Sequence, residues 1–387
     1  MHELWIDNYE KGVCSAVSFF DLSAAFDTLS KDVFCEKLRL YGFSNKSVEW
    51  FNSYLSNRHQ IVKIGACLSD EIALNLGSPQ GAILSPTIFI ILISDIGLWS
   101  KAAIFGYADD TTATQSNKDI DLLVKECETE AQNVIDYMSV NRLAANDDKT
   151  HIMIIRRKKG GKKLSVKVGN KDISETASEK LLGMKVENDL SWSEHLISLE
   201  KRLKSRLFHL RRLAEHIPKH LLKKVADGIF MSVLRYGLPL YCPVRTTEED
   251  PVPGALERIR VVFNDCIRLL TNNSRRDHAR INDMLTQLDW LSINQLSAET
   301  RLIEAWKTAD TDDYCLTDIL KVKESLRNTR SGNNIVFNSS QANKFSGGSF
   351  MHRTATLWNQ APKSIKESKT LAKAKEEIRK YARTLPI

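Results

Sequence analysis

Ala102-Ala103-Ile104-Phe105-Gly106-Tyr107-Ala108-Asp109-Asp110-Thr111-Thr112 carries an apolar run straight into two adjacent carboxylates. The run is short and apolar, so it reads as a strand, and the carboxylates followed at once by Thr111 and Thr112 read as the tip of a hairpin. Such a hairpin concentrates negative charge at its tip. Like charges this close repel unless a cation is brought to them. A plain solvated Asp-Asp turn would have the same local pattern, so the pair needs company elsewhere in the chain.

Company comes from Val17-Ser18-Phe19-Phe20-Asp21, a second apolar run that ends in a carboxylate and continues as Leu22-Ser23-Ala24-Ala25-Phe26-Asp27. If the two runs are neighbouring strands of one sheet, Asp21 and Asp109 face each other across it, because alternate side chains share a face. Clustered carboxylates suit a hard cation such as Mg²⁺, which takes one or two protein oxygens together with water and substrate phosphates. Paired ions of this kind support in-line phosphoryl transfer. The chemistry indicated is nucleotidyl transfer.

The order Phe20-Asp21-Leu22-Ser23-Ala24-Ala25-Phe26-Asp27, then Gly77-Ser78-Pro79-Gln80-Gly81-Ala82-Ile83-Leu84-Ser85-Pro86, then Tyr107-Ala108-Asp109-Asp110 resembles the reverse transcriptase of non-LTR (LINE-type, Jockey-like) retrotransposons. Asn146-Asp147-Asp148-Lys149-Thr150 resembles that family's motif D, and Leu181-Leu182-Gly183-Met184-Lys185-Val186 its primer-grip motif E. Weaker similarity runs through Arg235-Tyr236-Gly237-Leu238-Pro239-Leu240 and Trp358-Asn359-Gln360-Ala361-Pro362.

The resemblance implies roles. Asp21 and Asp109 are the expected metal ligands, with Asp110 as the supporting acid. Phe26 is the expected steric gate against a 2′-hydroxyl, though from its pattern alone it is equally a core residue. Gln80 and Gly81 are expected near the nascent base pair, where small residues permit close backbone approach. Lys149 is expected to protonate the leaving pyrophosphate, which requires it to be held close. Without the family match, Gln80 reads as a turn residue and Lys149 as a solvated side chain. The implied function is an RNA-directed DNA polymerase that uses Mg²⁺ (or Mn²⁺), an RNA template, a DNA primer and deoxynucleoside triphosphates. The short stretch ahead of Asp21, beginning Met1-His2-Glu3-Leu4-Trp5, resembles the middle of such a protein, so the chain reads as N-terminally truncated with incomplete fingers. A nucleic-acid-binding remnant without turnover is the alternative.

Composition agrees with a nucleic-acid partner. The 387 residues carry a formal charge of +7, and the cations are gathered at Arg156-Arg157-Lys158-Lys159-Gly160-Gly161-Lys162-Lys163 and along Lys201, Arg202, Lys204 and Arg206 to Arg211-Arg212. The first run, flanked by Ile152-Met153-Ile154-Ile155 and Leu164-Ser165-Val166-Lys167-Val168, reads as a hairpin with a charged tip. The second lies on a helix whose Leu196, Leu199, Leu203, Leu207 and Leu210 recur at helical spacing, leaving the basic face wet. From its pattern alone this is equally a solvated amphipathic helix; the resemblance makes it the thumb and implies that Gly183, Lys201, Arg202, Lys204 and Arg206 contact nucleic acid.

Seven scattered cysteines with no Cys-x-x-Cys, and His216 and His220 separated by Pro218, argue against zinc and for reduced thiols in an intracellular protein, cytoplasmic or nuclear. The apolar run Ile88-Phe89-Ile90-Ile91-Leu92-Ile93 is too short to span a bilayer, so no membrane association is expected.

The expected fold class is α+β: a polymerase palm with an antiparallel sheet and helices on one face, then a helical thumb and a C-terminal region. Its divisions fall at 1–187, 188–310 and 311–387. Strands are expected at 13–21, 60–64, 71–76, 103–114 as a hairpin, 151–155, 164–168 and 182–187, the last three completing the sheet. Helices are expected at 30–41, 46–56, 80–98, 117–140 and 371–384. Asn328 to Ser349 reads as an exposed connection.

Overall fold

The computed structural model describes residues 1–22, 26–146, 149–157, 163–169, 171–247, 249–250, 254–310, 321–323, 334–336 and 350–387. They form two compact units, one of Met1 and Lys11–Glu179, the other of His2–Glu10 and Lys180–Ile387.

The first unit is built on a four-stranded antiparallel sheet. Its strands lie in the order Ala103–Tyr107, Asp110–Asn117, Cys14–Phe20 and His151–Ile155. Both runs that end in carboxylates are therefore strands, and they meet through Asp110–Asn117. Helices Lys31–Leu40, Asn45–Leu55, Leu84–Ile93 and Ile120–Val140 supply Phe34, Leu38, Val48, Ile88, Phe89, Val134 and Tyr137 to one core with Ala16, Phe20, Ile152 and Ile154 of the sheet. Each large side chain taken fully from water contributes about 1.5–3 kcal/mol, which is why the face with these alternating residues is the one that holds helices. The α+β class is as expected.

Three details differ from expectation. Helix Leu84–Ile93 is shorter than 80–98. Residues before it are committed to a loop, and after it Asp95 turns away to meet Lys37 at 2.6 Å and Tyr137 at 2.5 Å. Ser165–Val168 does not extend the main sheet but pairs with Lys171–Ser174; Glu175 N donates to Leu164 O across this hairpin, and Thr176 N donates to Ile152 O, tying its end to strand His151–Ile155. The basic hairpin expected between 155 and 164 therefore is not a ladder between those two strands, and its tip at 158–162 lies outside the described residues. Met184–Glu187 likewise stands apart from the main sheet, in a two-stranded sheet with Ser178–Leu181.

The second unit is helical. Ser193–Ala214 buries Leu196, Leu199, Leu203, Leu207 and Leu210 as its periodicity requires, and packs on Gly254–Thr271. Lys219–Ala226 and Ser232–Arg235 are joined by a π-helical turn, Asp227–Met231, whose first residue accepts a 2.8 Å hydrogen bond from Trp290 Nε1. Helices Ile293–Asp310, Phe350–Gln360 and Leu371–Ala382 share a core of Leu302, Trp306, Met351, Trp358 and Ile378. Fully buried Arg301 ties that core together, donating to the carbonyls of Phe350 (2.7 Å), Cys242 (3.3 Å) and Pro239. Burial pushes its guanidinium down to about 10, still protonated at neutral pH. Of the expected exposed connection, all but residues 334–336 lies outside the described residues. Among the described residues no helix is long and apolar enough to cross a membrane.

Candidate active site

Register determines what the hairpin tip meets. Phe20 pairs with Thr111 and Tyr107 with Asp110. Ala108 takes the left-handed conformation, φ 52°, to close the tight turn, and Asp109 sits beside it at the tip. Asp21 follows the last pair of its strand, and both carboxylates of the hairpin lie at the same end of the sheet.

A third segment joins them. Leu22 bridges Ala145, Asn146 N donates to Asp21 O at 2.9 Å, and Lys149 N donates to Asn146 O at 3.0 Å. This stitching brings the Lys149 ammonium to 2.9 Å from Asp21 Oδ2. Asp147 and Asp148, between them, lie outside the described residues. Lys149, expected from the resemblance to act on the leaving pyrophosphate, is thus placed beside Asp21.

The loop Gly77–Gly81 packs on the segment 26–29, which follows Asp21 in sequence. Gly77 N donates to Leu29 O and Ser78 N to Phe26 O, both at 2.8 Å. At Gly77 (φ 84°) a Cβ would lie 2.9 Å from backbone atoms of Phe26 and Asp27, so no side chain fits. Arg58 braces the loop from the far side, donating to the carbonyls of Leu76 at 2.7 Å and Gly77 at 2.6 Å. Gln80 Nε2 donates to Asp27 Oδ1 at 2.7 Å, and Gly81 follows with φ 78°. Phe26 is partly buried against the core, its ring 5.2 Å from that of Phe89. Asp27 and Arg58 escaped the sequence reading. Asp27 was visible as the last residue of the first motif, whereas nothing about Arg58 marks it before the loop is folded.

Among the described residues no group of three or more His, Cys, Asp or Glu side chains is gathered so as to hold a metal ion. The donor set nevertheless fits Mg²⁺. Two adjoining strand ends offer carboxylate oxygens only, and this ion takes one or two of them while water and substrate phosphates complete its shell.

In the second unit, Lys201, Arg202, Lys204 and Arg206 are all exposed on helix Ser193–Ala214. Lys204 is partly neutralised by Glu200 at 2.7 Å, leaving the other three as the stronger cations. Phe208, 57% exposed, stands among them. Gly183 (φ 80°) lies in the turn between Ser178–Leu181 and Met184–Glu187.

A model of the family "Reverse transcriptase (RNA-dependent DNA polymerase)" matches residues 5–186. The chain is similar to a probable RNA-directed DNA polymerase from transposon X-element of Drosophila melanogaster, 22% identical over 233 residues, covering 57% of this chain and 24% of the relative. It thus spans about a quarter of the length of that relative. Among solved structures it is similar to apo telomerase from Candida tropicalis (13% identity, TM-score 0.37, 74% of this chain and 53% of the other). It is also similar to telomerase from the same organism in complex with a TWJ fragment of telomeric RNA (14% identity, TM-score 0.36, 77% and 48%). Residues 5–186 thus match the reverse transcriptase (RNA-dependent DNA polymerase) family, and the relative it is similar to is a probable RNA-directed DNA polymerase of a transposon.

Proposed function

We propose that the chain extends a DNA primer on an RNA template, as an intracellular RNA-directed DNA polymerase of a non-LTR retrotransposon. The observation that carries this reading is the register that puts Asp21 opposite the Asp109-Asp110 hairpin with Lys149 beside it. Asp21 and Asp109 would hold Mg²⁺ or Mn²⁺, with Asp110 in support. When bound, the ions supply activation of the primer 3′-hydroxyl and neutralisation of charge on the phosphates.

The chain's own residues do the rest. Lys149, tethered through Asn146 to the end of the Asp21 strand, holds a proton where the pyrophosphate leaves. Phe26 presents the accessible part of its ring to the sugar of the deoxynucleoside triphosphate, so that a 2′-hydroxyl clashes. Gln80, fixed by Asp27, lies along the nascent base pair, and the close backbone approach at Gly77 keeps that loop in place. Lys201, Arg202, Lys204 and Arg206 grip the phosphates of the primer–template, a mainly electrostatic contact without sequence choice.

The test is extension of a DNA primer on an RNA template by the purified chain, with Asp109→Asn as control. Template-dependent synthesis is expected from the native chain and a loss of at least ~10³-fold from Asp109→Asn, since the loss removes the charge that the ions require. Primer–template binding without synthesis under Mg²⁺ or Mn²⁺ would replace this reading by that of a non-catalytic nucleic-acid binder.

A further inference from the structure

Within the second unit, the turn Leu182-Gly183 is fastened by a residue far along the chain. Tyr236 follows helix Ser232–Arg235, and its hydroxyl donates to Leu182 O at 2.5 Å. Its ring lies against Gly183, where a Cβ would meet Tyr236 Cε1 at 3.7 Å. The next residue, Gly237, packs so closely on Met184 that a Cβ there would fall 2.4 Å from its Sδ. Leu182, Gly183 and Gly237 all take positive φ, of 48°, 80° and 67°. Two consecutive residues of one segment thus engage three consecutive residues of the other, one by hydrogen bond and two by close approach. Tyr236 keeps 53% of its surface exposed, so the contact is a fastening at the surface and not a core packing requirement.

We propose that Tyr236 is a positioning residue for the turn 182–184, holding it in the one backbone conformation that receives the 3′-terminal segment of the primer. The inference rests on the polymerase reading, which makes this turn a primer contact. A turn with two consecutive left-handed residues has few alternatives that keep its carbonyls and amides pointed the same way. The Tyr236 hydroxyl selects among them by anchoring the Leu182 carbonyl.

Tyr236→Phe removes the hydroxyl and keeps the ring. Losing one hydrogen bond of this kind corresponds to about a 2- to 10-fold effect on an equilibrium. The full chain carrying Tyr236→Phe is therefore expected to show a primer KM raised by that factor with an unchanged KM for deoxynucleoside triphosphate. It should bind a recessed primer–template more weakly by the same factor while binding a blunt duplex of equal length as before. Gly183→Ala, which strains the turn directly, should shift the same two quantities further in the same direction. An active Tyr236→Phe enzyme with native primer KM overturns the proposal. So does a variant in which both KM values rise and both duplex affinities fall together, because that is the signature of general destabilisation. A native chain that neither binds nor extends a primer fails earlier, at the polymerase reading, and takes the latch with it.

Discussion

Lys149 Nζ and Asp21 Oδ2 stand 2.9 Å apart, one delivered by a loop and the other by the end of a central strand. The ammonium shares the carboxylate that a divalent ion would use, so each weakens the other's claim on it. With Lys149 62% and Asp21 28% exposed at the side chain, the pair contributes little to stability, within about 1 kcal/mol. Lys149→Met should leave the melting temperature nearly unchanged and lower the half-saturating Mg²⁺ concentration. The same change should slow nucleotidyl transfer by about 10²-fold, the usual cost of losing a placed general acid. Rapid-quench extension across a Mg²⁺ titration reads both. An unaltered metal dependence would show that the ion pair does not compete.

Phe26 is partly buried, with its ring against Phe89. Phe26→Val should raise ribonucleotide incorporation relative to deoxyribonucleotide by at least ~10-fold, because the bulk that rejects the 2′-hydroxyl is gone. Some stability, about 1–2 kcal/mol, should also be lost with the Phe89 contact. Competition between the two nucleotides under single-turnover conditions is the measurement, and unchanged selectivity in an active variant would assign Phe26 to packing alone.

The basic face of helix Ser193–Ala214 should show itself in salt dependence. Each phosphate neutralised on a B-form duplex contributes roughly −0.9 to the slope of log affinity against log salt. Replacing Lys201, Arg202 and Arg206 together by Ala should flatten the slope by about 2 to 3, with Lys204→Ala adding less because Glu200 already pairs with it. Asp109→Asn should leave the slope as it was. Fluorescence anisotropy of a labelled hybrid between low and physiological salt decides the matter.

The Lys37–Asp95–Tyr137 group gives a pH signature in the first unit. Burial alone would raise the Asp95 carboxyl, but hydrogen bonds from Lys37 and Tyr137 and the Lys37 charge outweigh it and hold the group below the usual carboxylate range. A carboxylate depressed on folding stabilises above its unfolded value and loses that contribution as pH falls through the folded one. Native stability should therefore decline on acidification below the ordinary carboxylate range. Asp95→Asn should remove that part of the acid sensitivity and cost about 2–3 kcal/mol at neutral pH, since Lys37 stays buried without its counter-charge. Urea unfolding at several pH values tests this.

The sequence made some of this legible and left the rest hidden, for reasons that can be named. The strand from Cys14 to Phe20, the hairpin around Asp109 and the helix from Ile120 to Val140 were readable because apolar periodicity and turn residues are local signals. Pairing is not local. Ser165–Val168 could serve the main sheet or a hairpin of its own, and what settled it was Lys171–Ser174, too polar to look like a strand beforehand. At the site, the carboxylates announced themselves by type and spacing, but the register that brings the end of strand Cys14–Phe20 to the start of Asp110–Asn117 was set only by folding. Arg58 and Tyr236 act through backbone carbonyls, which have no sequence signature at all.

The π-helical turn at Asp227–Met231 makes one stretch of this chain unequal in what it tolerates. A π turn takes in one residue more than an α turn for nearly the same rotation, so it absorbs an extra residue between Asp227 and Arg235 and leaves the helix beyond it in phase. Deleting Ile229 should let the helix run on in regular α form with Tyr236 still at the Leu182 carbonyl, whereas a residue inserted within Ser232–Arg235 would turn Tyr236 away from it by about 100°. The loss of one residue is better borne here than the gain of one.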